Sequence, residues 1–232
     1  MGNNAITQIQ QALRNKGIDP GAIDGIWGRN TIAAVRQFQM QQGLEVDGIV
    51  GPQTTAALFK DVPLAIELLL PWFEEAKHLM GTKEVLGDKN NPVIMDWAKD
   101  LDINYAGDDI PWCGLFVAHC VGTTLQHEVL PGNPLGARQW EKFGNIITPP
   151  CLGAVMVFWR ESLASGKGHV GFYVGEDDEA YQILGGNQSD KVCLMWLGKD
   201  RFRSARWPKT ASSLISRVVQ KDRGEGLSVN EA

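Results

Sequence analysis

The chain has 232 residues, 44% of them apolar, and 22 basic against 27 acidic side chains for a net charge of −5. That length suits one large or two modest domains, each with enough apolar residues for a true core. The acidic balance excludes a surface built to read nucleic-acid phosphates, because Lys and Arg do not cluster ahead of the C-terminal segment.

The start, MGNNAITQIQQAL, lacks the basic opening and apolar centre of a secretory signal, so synthesis in the cytosol is expected. Ile6, Ile9 and Leu13, then Ile32, Val35 and Phe38, recur at three- and four-residue steps and predict short amphipathic helices. Between and after them stand DGIWGRNT (24 to 31) and DGIVGPQT (47 to 54), a repeat with a period of 23 residues. Each copy is a turn signal followed by a helix start: Asp-Gly for a tight turn, an apolar plug, then Gly before the helix. Residues 5 to 59 resemble the type 1 peptidoglycan-binding domain family, with its leading helix, two D-G-x-x-G-x-x-T turns and F-Q helix. The resemblance implies a three-helix fold that holds wall peptide or glycan in a shallow groove, with Asp24, Trp27, Arg29 and Gln39 near it.

The domain is expected to end at residue 60, with a linker over 61–71 in which Pro63 and Pro71 bracket a short apolar helix. The apolar stretch from Val62 to Phe73 is broken by Pro63, Glu67 and Pro71 and is too short to span a bilayer, so no membrane insertion is expected. A second domain over 72–216 reads as helices first, with Asn90-Asn91-Pro92 ending one element. Strands then follow at 154–160, 169–176, 181–187 and 192–198. That order predicts an α+β domain with an antiparallel sheet. The polar tail, 217–232, is expected to fray.

The second domain also carries the residues of a cysteine hydrolase in chain order: Cys113 in IPWCGLFVAHC, His169 in GHVGFYVG and Asn187 in GGNQ. Pro111 and the apolar run after Cys113 place the thiol at a helix N-terminus, where the dipole favours thiolate and first-turn N–H groups can receive an oxyanion. Gly114 is read as leaving the approach open. His169 can take the thiol proton, and Asn187 can hold the imidazole as a carboxylate does in serine hydrolases. Cys120, Cys151 and Cys193 are read as reduced core residues, since the four thiols show no framework spacing. His78, His119 and His127 lack zinc-site spacing, and Asp100, Asp102, Asp108 and Asp109 form no EF-hand loop and are read as a solvated turn. No metal or cofactor is expected.

Residues 72 to 200 resemble the CHAP and NlpC/P60 superfamily of papain-like cell-wall amidohydrolases, through GTKEVLG, NNP, PWCGLFV, GHVGF and ILGGNQ in order, a series found in a phage and prophage subgroup. The resemblance implies nucleophile Cys113, base His169 and orienter Asn187, with Glu84, Trp112 and Gln188 in the pocket. Gly185 stands where many CHAP enzymes have Glu, so the triad would close on Asn187 alone; the third histidine of NlpC/P60 enzymes has no counterpart, which favours a CHAP-like domain. Together the halves imply a monomeric endolysin that cuts an amide of the peptidoglycan stem peptide, as amidase or endopeptidase, after holin-dependent release to the wall. A secretion-system amidase effector is the alternative with the same chemistry, and a wall-binding or virion structural protein the alternative without catalysis.

Overall fold

The computed structural model describes residues 4–59, 70–85, 87, 89–125, 127–211 and 218–222. The N-terminal module is three helices, α1 (Asn4–Asn15), α2 (Arg29–Gln42) and α3 (Pro52–Leu58). Ile6, Ile9 and Leu13 of α1 meet Ile32, Val35 and Phe38 of α2, with Trp27, Val50 and Leu58 completing a small core. The apolar period thus translates directly into one buried stripe per helix.

Each repeat turn is closed by a buried glutamine from the helix before it. Gln10 donates through Nε2 to Asp24 Oδ1 (3.0 Å), Ile26 O (3.1 Å) and Thr31 Oγ1 (3.1 Å), while its Oε1 accepts the Gly25 N–H at 2.9 Å. Gln39 repeats the pattern on Asp47 Oδ1 (2.7 Å), Ile49 O (2.9 Å), Thr54 Oγ1 (3.1 Å) and the Gly48 N–H (2.8 Å). The glycines sit at φ 73° and 76°, a left-handed conformation that side chains resist. The Asp carboxylates also accept the N–H two residues on, the Asx-turn that favours Asp at this position. The repeat is therefore a hydrogen-bonded unit, with Thr and Asp chosen for their oxygens.

The second domain opens with α4 (Pro71–His78), α5 (Pro92–Asp100) and α6 (Cys113–Thr124). Asn91 caps α5 by accepting the Val93 N–H at 2.8 Å and Pro92 takes the first turn, so Asn90-Asn91-Pro92 starts an element and does not end one. The helix expected between Pro63 and Pro71 lies largely outside the described residues, as does most of the linker. α6 is apolar on nearly every face and is buried throughout its first nine residues, as a helix with no polar side must be.

A six-stranded antiparallel sheet follows: β1 (Asn145–Ile147), β2 (Val155–Trp159), β3 (Gly168–Glu176), β4 (Ala180–Gly185), β5 (Cys193–Gly198) and β6 (Phe202–Trp207), in the order β1-β6-β2-β3-β4-β5. The four expected strands are β2 to β5. β1 and β6 were missed because NII is three residues long and FRSARW carries two arginines. β6 nevertheless pairs with β2, Met156 opposite Ala205, and buries Ser204, Ala205 and Trp207. β2 and β3 are central and almost wholly buried, and α6 packs against β3. Residues 218–222 correct the expectation of a frayed tail. Gln220 bridges to Glu176, whose N–H donates to Val219 O (2.8 Å) and whose carbonyl accepts the Lys221 N–H (2.9 Å). Among the described residues no helix is long and apolar enough to cross a membrane.

Candidate functional site

The start of α6 lies against the start of β3, which sets Cys113 beside the main chain that follows His169. Trp112 is the N-cap of α6 and Cys113 its first residue, with Pro111 outside the helix. The Cys113 thiol sits among the backbone N–H groups of Cys113, Gly114 and Val170, the last being the residue after His169. Those donors and the charge of Arg160 favour thiolate, but burial is the larger effect and pushes the thiol above its ordinary value. The expected thiolate stabilisation by the helix start is present and is outweighed. Burial thus works against the ionised thiol, and attack by it calls for a base. Gly114 does not open the approach: a side chain there would strike the carbonyls of Pro134 and Leu135, so this glycine admits a close-packed loop.

His169 is fully buried, and the polar group on it is Gln188, not Asn187. His169 Nε2 and Gln188 Oε1 are 2.9 Å apart. The amide is fixed in direction because Gln188 Nε2 donates to Cys193 O (2.5 Å) and Ile183 O (3.5 Å), which leaves Oε1 to face the ring. An acceptor at Nε2 places the imidazole proton there and leaves Nδ1 as the basic nitrogen. Gly185 is required by this arrangement: a Cβ would sit 2.7 Å from Gln188 Oε1 and 3.0 Å from His169 Nε2, so no glutamate could occupy the position. Cys193, read from sequence as a core thiol, is half-buried and donates to Gln188 O at 3.3 Å, bracing the same residue.

Asn187 lies past the end of β4, in a left-handed turn at φ 53°. Its Nδ2 donates to Glu84 Oε1 at 3.2 Å, an oxygen that also accepts Trp112 Nε1 at 2.7 Å. Asn187 is thus adjacent to the site without holding the histidine. Glu84 is half-buried, and burial first, then the nearby Asp190, Asp108 and Asp109, raise its pKa. It shares a cleft of about 440 Å³ with Asn90, Asp108 and Asp109. Asp108 is not part of a solvated turn: it is buried and accepts the N–H groups of Asn91 (2.8 Å) and Val85 (3.3 Å). Tyr105 and Arg160, unmarked in the sequence reading, both interact electrostatically with Cys113, and Tyr105 donates to Ile110 O at 2.6 Å. Neither sits in a motif, so no spacing could have flagged them.

In the N-terminal module, Asp24 and Arg29 line an open cleft of about 200 Å³ with Gln10, Ile26, Asn30 and Thr31. Trp27 and Gln39 do not: Trp27 is in the core, and Gln39 is the buried clamp of the second turn. The second turn is covered instead: Ile49 packs into the core of the second domain, whereas its counterpart Ile26 is exposed.

Residues 2–58 match the family model for a peptidoglycan binding domain. A probable N-acetylmuramoyl-L-alanine amidase of Bacillus licheniformis is 44% identical over 64 residues, which is 25% of this chain and 18% of that protein. Spore cortex-lytic enzymes of Halalkalibacterium halodurans and Bacillus subtilis are 42% identical over 55 residues and 46% over 54, covering 24% and 23% of this chain and 17% and 18% of theirs. The chain thus spans under a fifth of the length of these relatives. No solved structure matches it. The N-terminal module is a peptidoglycan-binding domain shared with amidases and cortex-lytic enzymes.

Proposed function

We propose that the chain is a peptidoglycan hydrolase that cleaves an amide of the stem peptide through Cys113, His169 and Gln188. The observation that carries this reading is the fixed Gln188 amide on His169 Nε2, beside a cysteine at a helix start. His169 takes the thiol proton at Nδ1 as sulfur adds to the amide carbon, and the oxyanion is received by first-turn N–H groups of α6. The C–N bond breaks as His169 returns the proton to the leaving amine, leaving a thioester. Water, deprotonated by the same imidazole, then adds to the thioester and expels the thiol. Gln188 keeps the ring in register through both halves, accepting from Nε2–H throughout.

The N-terminal domain raises the local concentration of wall at this site, which offsets a modest affinity of the catalytic cleft. The bond is either the muramoyl–L-alanine amide or a peptide bond within the stem. The setting we favour is a phage or prophage endolysin, made in the cytosol and passed to the wall by a holin. Incubating the protein and its Cys113→Ala variant with purified sacculi, followed by mass spectrometry of soluble products, tests the reading. Free stem peptides from the wild type alone identify an amidase, and truncated peptides left on glycan an endopeptidase. Binding by both proteins with release by neither leaves a wall-binding scaffold.

A further inference from the structure

Residues 81–85, GTKEV, belong to no helix or strand, yet they are held from two sides. Gly81 N–H donates to Val192 O (2.9 Å), Val192 N–H to Thr82 O (2.7 Å) and Glu84 N–H to Asp190 O (3.0 Å), around a bridge between Lys83 and Lys191. On the other side Asn91 Nδ2 donates to Lys83 O at 2.6 Å and Val85 N–H to Asp108 Oδ2 at 3.3 Å. The backbone at Glu84 is therefore fixed before its side chain makes any contact.

From that position one oxygen, Oε1, accepts both Trp112 Nε1 and Asn187 Nδ2. Trp112 immediately precedes the nucleophile, and Asn187 immediately precedes Gln188. The two donors belong to elements already in contact: a Cβ on Gly186 would lie 2.7 Å from the Trp112 ring. We infer that Glu84 is a positioning residue for the proposed reaction, a carboxylate strut that sets the thiol end of α6 against the turn carrying Gln188. The inference rests on the Cys113, His169 and Gln188 reading above.

The strut needs an acceptor oxygen and not a negative charge. Burial is the largest influence on Glu84 and raises its pKa; the Trp112 hydrogen bond opposes it and three neighbouring aspartates add to it, so the net environment does not favour the anion. A role in binding a cationic substrate group in the adjoining acidic cleft would depend on the charge. The two roles separate on substitution, because the amide oxygen of Gln can accept both hydrogen bonds and carries no charge. The strut acts through geometry, where a misplacement of about 1 Å is enough for a loss on the order of 10²-fold.

The test compares full-length wild type, Glu84→Gln and Glu84→Ala in stem-peptide release from sacculi. A second readout, free of turnover, is the rate of Cys113 alkylation by iodoacetamide from about pH 6 to about pH 10, a range that brackets imidazole and thiol titration. The expected result is a kcat within about threefold of wild type for Glu84→Gln. For Glu84→Ala kcat drops roughly 10- to 100-fold, KM stays within about twofold and the alkylation profile shifts. Equal losses in both variants, or a KM that rises in Glu84→Gln, overturn the strut in favour of substrate contact. So does a Glu84→Ala protein that turns over normally. Should wild type itself release nothing, the hydrolase reading fails and the alkylation profiles decide the strut alone, an unchanged profile in Glu84→Ala sinking it. If Glu84→Ala does not fold, Asn187→Gly removes one arm at a position whose left-handed φ suits glycine, and undiminished turnover there overturns the inference.

Discussion

The two domains use the same device for different ends. Gln10 and Gln39 in the first and Gln188 in the second are all buried amides whose Nε2 donates to main-chain carbonyls. In the first domain Oε1 accepts a glycine N–H, so every bond of the amide closes on a turn and the glutamine is a structural clamp. In the second, Oε1 faces an imidazole. A buried amide with two donors and a fixed orientation is well suited to both tasks, and only the identity of the group on its oxygen separates stability from chemistry.

Substitutions that remove each amide should divide along the same line. Gln188→Ala should lower kcat/KM by about 10²- to 10³-fold, about 3–4 kcal/mol of transition-state stabilisation, while sedimentation with sacculi is unchanged. Gln188→Glu should be no rescue, since its carboxylate cannot donate to Ile183 O and Cys193 O. Gln39→Ala should cost about 3 kcal/mol in denaturant titration of the N-terminal domain, because the Gly48 N–H is left buried without its acceptor and Asp47, Ile49 O and Thr54 each lose one buried hydrogen bond. It should weaken wall binding and leave Cys113 alkylation alone. If Gln39→Ala instead lost binding at full stability, the clamp reading would be wrong and the groove reading of Gln39 restored.

Gln10→Ala should cost less, about 1–2 kcal/mol, because Asp24 and Ile26 are exposed and water can replace the lost bonds. The smallest effect is on pH dependence. The Cys113 thiol is raised in the folded state, so the unfolded chain ionises first as pH rises past the ordinary value of 9.0. The folded state then binds the extra proton, and stability declines from about pH 9 upward through the folded pKa. Cys113→Ser should lessen the decline in unfolding free energy measured across alkaline pH, the remainder coming from Cys120, Cys151 and Cys193, whose thiols burial also raises; an unaltered decline would leave Cys113 without a share in it.

Much of this molecule was legible in its sequence, and what escaped has identifiable causes. The helical stripes of Ile6, Ile9, Leu13 and of Ile32, Val35, Phe38 became a core because three- and four-residue spacing dictates a shared face. The apolar runs at β2 to β4 were visible because these strands are largely buried, and that at β5 because one of its faces is. β6 was invisible because an arginine-bearing strand shows its nature only beside a partner, here β2. Asn91 was read as an ending when it is a cap, since Asn-Pro serves either role until the flanking helix is known.

The sequence by itself determined the repeat, the order of helices and strands, and the placement of Cys113 at the head of an apolar helix with His169 opening a strand. Only the tertiary structure decided which amide faces the histidine. Asn187 and Gln188 are neighbours in a turn, where no helical or strand period assigns a side chain to a face. Their directions are set by Glu84, 103 residues away from Asn187 in the chain, and by carbonyls of two different strands around Gln188. The tertiary structure also decided that the Asp-Gly turn at 24 opens onto a cleft while its twin at 47 is covered. Two local sequences with the same hydrogen bonds differ in exposure through what the rest of the chain packs against Ile49.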